Sequence, residues 1–171
     1  MPPESAHPET LSPDPATAHA DYAFRQRFRV PANWAFRWCI DFRADDSRLS
    51  DGHASRKVVA LAPHTLALDD EFEQDGGRRI RKVKLVQLYP SQKYWVSTHI
   101  VGPNHYSQFR YRIVPDGARA SYLVFEGRDV VWDGRPLSAA ANRERTRRLR
   151  TEDSRTWKRF AASMEKDFSG R

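Results

Sequence analysis

From Ser138 to Phe168 the chain runs without a glycine or proline, whereas turn-forming pairs interrupt every earlier stretch. Ser138 is a good N-cap, because its hydroxyl can accept from a free amide of the first turn. The segment therefore reads as one long helix closing a chain of shorter elements. Its second half places Trp157, Phe160, Ala161, Met164 and Phe168 on one stripe at helical spacing. Projected backwards, the same stripe meets Asp153, Leu149, Thr146 and Asn142. The helix is apolar where it must pack and mixed where something else is asked of it.

The elements before it alternate with a period of two. In YAFRQRFRV, Tyr22, Phe24, Gln26, Phe28 and Val30 share one parity and Arg25, Arg27 and Arg29 the other, as in a strand with one dry face. Pro31 ends it and opens a short helical segment, PANWAFRWCIDF, with Trp34, Ala35, Trp38 and Phe42 at helical spacing. The polar run ADDSRLSDGHAS reads as a turn and loop. Strands follow at KVVALA, HTLALDDEF, RRIRKVKLVQLY, KYWVSTHIV, HYSQFRYRIV and RASYLVFEGRDVVW, parted by turns at Asp75-Gly76, Pro90-Ser91, Gly102-Pro103 and Pro115-Asp116-Gly117. Regular short strands joined by tight turns predict an antiparallel meander and not parallel βαβ units.

Residues 1–20 hold five of the eleven prolines and few large apolar side chains, so they read as a disordered tail before one domain at 21–171. Before Arg25 there is no Lys, Arg or apolar run, and no later stretch approaches the roughly twenty apolar residues of a membrane span. The single cysteine, Cys39, has no internal partner and reads as a small buried side chain, which fits a reduced, cytoplasmic setting. Most of the formal charge of +7 comes from the end of the chain, where ten basic residues face five acidic ones after Ser138. A solvated helix face is the simpler account of that charge; contact with nucleic acid or acidic membranes is the alternative.

The order of strand, short helix, meander and long terminal helix resembles the SRPBCC superfamily, which includes START domains, birch-pollen-allergen-like proteins and polyketide cyclases and dehydrases. The resemblance spans residues 21–168 and is carried by FRVPANWAFRWCIDF, KVKLVQLYPSQKYWVSTHIVG and SYLVFEGRDVVW. It implies an α+β helix-grip fold, a curved antiparallel sheet of about six to seven strands wrapped around the C-terminal helix. It also implies a cavity between sheet and helix for a lipid, polyketide or isoprenoid-like molecule. The alternation gives the same expectation independently, since one helix cannot fill the concave side of so wide a sheet. By parity, Leu66, Phe72, Phe109, Tyr111, Leu123, Phe125 and Leu149 are expected to line that cavity.

Several polar groups are candidates for chemistry. Asp70 shares the parity of Leu66, Leu68 and Phe72. Pointing inward, it would be desolvated, its pKa raised, and able to act as an acid or anchor a hydroxyl; on a frayed or bulged strand it would sit in water. His99 and His105 flank the Gly102 turn, His99 being a candidate general base; two histidines without further ligands do not make a metal site. Glu126, Arg128, Asp129 and Trp132 fall near the expected mouth and are read as entrance residues or as surface ion pairs. No nucleophile triad, phosphate loop or dinucleotide fingerprint appears, and no cofactor or metal is expected. The expectation is a binding or carrier module, with a cyclase-like enzyme as the rival.

Overall fold

In the computed structural model, which describes residues 19–131 and 136–170, the alternating segments form seven strands and the glycine-free end forms one helix. The first strand, β1 (His19–Phe28), buries Tyr22, Phe24 and Phe28 and exposes Asp21, Ala23, Arg25 and Arg27. It starts two residues before the predicted start of the domain at Asp21; residues 1–18 lie outside the described residues. Pro31 then starts α1 (Ala32–Cys39), its carbonyl accepting from the amides of Trp34 (3.0 Å) and Ala35 (2.9 Å). Ala32, Ala35, Phe36 and Trp38 are its buried residues, while Trp34 and Phe42 are half-buried. The predicted stripe is rotated because Trp34 turns to the edge of Phe168, at 5.1 Å, and Phe42 lies beyond the helix end. Cys39 is half-buried in the last turn, and burial pushes its thiol well above the usual range.

A 3₁₀ turn at Ala44–Leu49 leads to β2 (His53–Ala62), β3 (Thr65–Glu73), β4 (Arg79–Tyr89), β5 (Tyr94–Val101), β6 (Gln108–Asp116) and β7 (Ala120–Val130). They form one antiparallel sheet in the order β1-β7-β6-β5-β4-β3-β2, a meander whose first strand returns to pair with the last. The β3–β4 connection needs Gly76 and Gly77, whose φ angles of 80° and 77° few other residues adopt. β2 begins at His53, four positions before the predicted KVVALA run, because the His53 ring is buried against Phe72 of β3 at 4.9 Å.

The closing helix, α2 (Ala139–Ser169), is capped as the sequence predicts, Ser138 Oγ accepting from the amide of Ala141 at 3.1 Å. Trp157, Ala161 and Met164 are its buried residues. Its backbone runs closest to β1, and Trp157 reaches the rings of Trp95 and Tyr111 on the middle strands. Trp38 Nε1 donates to Asp167 Oδ2 (2.8 Å) and the Arg29 amide to Glu165 Oε1 (2.9 Å), fixing the far end of α2 to the β1–α1 corner. This is the helix-grip architecture that the resemblance implies. Among the described residues no helix is long and apolar enough to cross a membrane.

Candidate ligand-binding site

Strand register brings inner-face residues into rows that cross the sheet beneath α2. One row runs Phe24, Phe125, Tyr111, Trp95 and Leu88. The next runs Tyr22, Gly127, Phe109, Ser97, Val86 and Leu66. Trp95 stacks on Tyr111 at 4.8 Å with the rings 5° from parallel, and Trp157 of α2 covers both at 6.4 and 5.8 Å. Gly127 makes room for this floor: a Cβ there would stand 3.0 Å from the rings of Tyr22, Phe109 and Phe125.

A closed core would leave no inner-face apolar group accessible. Here Tyr111, Leu66 and Leu88 of the sheet and Leu149 and Phe160 of α2 pack against the core and still keep accessible surface. We assign these five side chains to the lining of a candidate recess under the helix, beside the stacked rings of Trp95 and Tyr111. A groove of about 730 Å³ runs along the first two-thirds of α2, lined by Asn142, Arg143, Thr146, Arg147, Arg150, Thr151, Ser154, Arg155 and Lys158. Arg143, Arg147, Arg148 and Arg150 are exposed, whereas Arg145 of the same stretch turns inward to Asp129.

Beyond the aromatic rows the inner face becomes polar. Lys84 pairs in register with His99, and Asp70 with both Arg56 and Lys82. Asp70 is fully buried, accepting from Arg56 Nε (2.7 Å) and Nη2 (3.2 Å) and from Lys84 Nζ (2.8 Å), with His53 Nε2 at 3.3 Å. Burial alone would raise its pKa, but His53, Arg56 and Lys84 outweigh it and hold the carboxyl well below the usual range. From α2, Arg145 clasps the buried Asp129 through Nε (2.7 Å) and Nη2 (2.5 Å), and Ser107 Oγ lies 3.3 Å from the other carboxylate oxygen.

Asp153 is the polar member of the helix stripe, and it receives the Tyr22 hydroxyl at 2.5 Å. Burial pushes this carboxyl up to about 6 even though the Tyr22 hydrogen bond pulls the other way. Tyr22 and Tyr111 are themselves raised by burial and by the Asp153 charge, so both remain phenols that can donate. Lys82 Nζ sits 4.6 Å over the face of Phe72, and burial and the Lys84 charge lower its pKa. His99 lies edge-on to Phe109 at 5.0 Å; burial and the Lys84 ammonium hold it down to about 3, so its ring is neutral. The Ser97 hydroxyl is buried without a hydrogen-bond partner among the described residues.

Most of the residues expected to line the cavity do face this side, but not all serve as lining. Tyr111, Leu66 and Leu149 pack against the core and keep accessible surface, whereas Phe109 is buried. Leu123 and Phe125 are 0% and 1% exposed, so they are core beneath the lining and offer no surface to a guest. Phe72 belongs to the polar end, between His53 and Lys82. Asp70 does point inward, yet its pKa is lowered and not raised, because three basic side chains surround it; this rules out the exposed alternative as well. His105 stacks on Tyr106 at 3.9 Å, within the turn. For Glu126 and Arg128 the entrance reading gives way, and for Arg128 the alternative of a surface ion pair holds. Strand alternation sends both to the convex face, where Arg128 Nε donates to Asp21 Oδ1 at 2.8 Å, while Asp129 takes the inward position. Trp132 lies outside the described residues.

Tyr22, Lys82 and Asp153 form the part of the site that candidate selection from sequence passed over. The signal was present: each is a polar group at an inward-facing position of an otherwise apolar pattern. Tyr22 shares the parity of Phe24 and Phe28, Lys82 that of Val86 and Leu88, and Asp153 the stripe of Trp157.

No protein-family model and no curated protein matches the sequence. Solved structures do match in fold. The Zhui aromatase/cyclase from Streptomyces sp. R1128 is similar at 10% identity and a TM-score of 0.66, over 88% of this chain and 93% of that one. Ara h 8.0201 is similar at 10% identity and a TM-score of 0.64, over 86% and 98% of the two chains. A protein of unknown function from Staphylococcus aureus, SA2116, reaches a TM-score of 0.70 at 8% identity, over 91% and 98%. Identities this low speak for a shared fold alone.

Proposed function

We propose, from the premise that this chain has the helix-grip fold of the SRPBCC superfamily, that it takes up a small hydrophobic or amphipathic molecule beneath α2. A lipid, a polyketide or an isoprenoid-like compound fits this reading. The observation that carries it is the accessible surface kept by Tyr111, Leu66, Leu88 and Leu149 on the inner side of the fold. Covering each such side chain contributes up to roughly 1.5 to 3 kcal/mol, and burial of the guest's own apolar surface adds to it against the cost of association. We place the protein in the cytoplasm on the same reading, where Cys39 stays a thiol.

The test is native mass spectrometry of the full chain after mild purification, with extraction of whatever denaturation releases. A bound small molecule is expected on the wild type and lost from Leu149→Arg, which fills the recess from the helix side. A wild type that never carries a guest, even after incubation with a mixture of long-chain lipids, refutes the reading.

One observation favours the enzymatic rival, a cyclase or dehydrase working in the same recess. Asp153 and Tyr22 supply a carboxyl with a pKa of about 6 beside a phenol, a combination suited to moving a proton near neutral pH. On that reading Asp153 is the acid–base group, in place of Asp70, which is locked among cations, and His99, which is neutral and weakly basic.

A further inference from the structure

The basic groups around the polar end of the recess are matched to carboxylates, with one exception. Arg56 and Lys84 share Asp70, and Arg56 also reaches Asp46 at 3.3 Å. Arg145 is held by Asp129. For Lys82, no carboxylate among the described residues lies within 4.0 Å of the ammonium; its close neighbour is the face of Phe72. Asp153, the nearest free-standing acid in electrostatic terms, is occupied by Tyr22.

A half-buried ammonium without a counter-ion is costly, because the low-polarity surroundings oppose the charge and nothing returns the lost hydration. The arrangement around it adds to the positive potential. Lys84 lies 6.0 Å from the centroid of the same Phe72 ring, so both lysines of this β4 face converge on one side chain. On the neighbouring strand β5, the Ser97 hydroxyl, 5% exposed, is aimed at the inner face with no partner among the described residues. Lys82 thus presents a charge to the inner face for which the described residues supply no carboxylate within 4.0 Å, and Ser97, opposite Val86 on the same face, offers a second free polar group farther along.

We infer that Lys82 holds the anionic head of the guest, a carboxylate or similar oxyanion, while the apolar body of that molecule lies toward Leu66 and Tyr111. The inference rests on the recess reading above and adds the ligand class: amphipathic acids in preference to neutral lipids of the same size. A charge-assisted hydrogen bond from a lysine in such surroundings contributes enough to separate the two by about ten-fold or more.

Two fluorescent probes of similar shape test it on the full chain: 1-anilinonaphthalene-8-sulfonate, which carries an anion, and N-phenyl-1-naphthylamine, which does not. The wild type should bind the anionic probe more tightly. Lys82→Met should weaken the anionic probe by about ten-fold or more and leave the neutral probe within about two-fold. Lys82→Arg should retain most of the anionic affinity, and the double variant Arg147→Gln/Arg150→Gln on the basic groove of α2 should leave it unchanged. Circular dichroism confirms that each variant is folded, and Lys82→Gln replaces Lys82→Met if the latter is not.

The outcomes separate the two claims. Binding of the neutral probe together with an anionic affinity indifferent to Lys82 overturns the inference and leaves the recess standing. Loss of anionic binding in Arg147→Gln/Arg150→Gln overturns it too, placing the anion in the basic groove of the helix. Failure of both probes to bind removes the recess reading, and the inference with it.

Discussion

Replacing Asp153 by asparagine should make this protein more stable at neutral pH, and the gain should vanish in acid. The side chain keeps its shape, and the Tyr22 hydroxyl can still donate to the amide oxygen where it now donates to Asp153 Oδ2. What disappears is a buried carboxylate charge. Its pKa of about 6 in the folded chain, against an ordinary 3.8, means that burial costs more than the Tyr22 hydrogen bond returns. Between those values the folded state holds its proton while the unfolded state has released it, so stability falls as pH rises. At 1.36 kcal/mol per pH unit the loss approaches about 3 kcal/mol above pH 6. Urea unfolding of wild type and Asp153→Asn, run from pH 4 to pH 8, measures it. The asparagine variant should lead by about 2–3 kcal/mol at pH 8, and the lead should shrink through the window from 6 to 4. A variant no more stable than wild type at pH 8, or a difference independent of pH, would refute the assignment of a desolvated carboxylate to this position.

Asp70 should behave with the opposite sign. Asp70→Asn leaves Arg56 and Lys84 without their buried counter-charge and should cost about 3–5 kcal/mol. Because its pKa is held below the ordinary range, that penalty should be constant at neutral pH and fade only as the pH drops below about 4, which the same urea series will show. Gly127→Ala drives a methyl group to 3.0 Å from three aromatic rings and should cost about 1–3 kcal/mol; unfolding indistinguishable from wild type would mean that the floor is looser than its geometry implies.

The elements were readable because their causes are local. Tyr22, Phe24 and Phe28 alternate with arginines, the Asp75–Gly77 turn supplies its own positive φ angles, and Ser138 caps the helix that it begins. The start of β2 was not readable, since His53 is drawn into the sheet by Phe72 and Asp70, side chains that only the fold brings near. The same holds for the sign of the Asp70 shift: parity reveals that the carboxylate points inward, but nothing in HTLALDDEF reveals which bases meet it there. Glu126 and Arg128 failed for a different reason. Their parity, opposite to that of Phe125, already assigned them to the convex face, and reading them by their nearness to the strand end set that information aside. Tyr22 and Asp153 stand 131 residues apart and meet only when α2 lies down on β1.

That meeting has a consequence for how the chain is made. β1 pairs with β7, every partner lying between Ser121 and Val130, and no other strand borders it. During synthesis β1 therefore leaves the ribosome with Tyr22, Phe24 and Phe28 bare, and its partner strand emerges only after residue 120. The middle hairpins can zip up as they appear, whereas β1 and β7 must find each other across all the strands that lie between. A ribosome stalled before residue 120 would thus hold a nascent chain with a greasy, unmated leading edge, the kind of surface that holdase chaperones recognise.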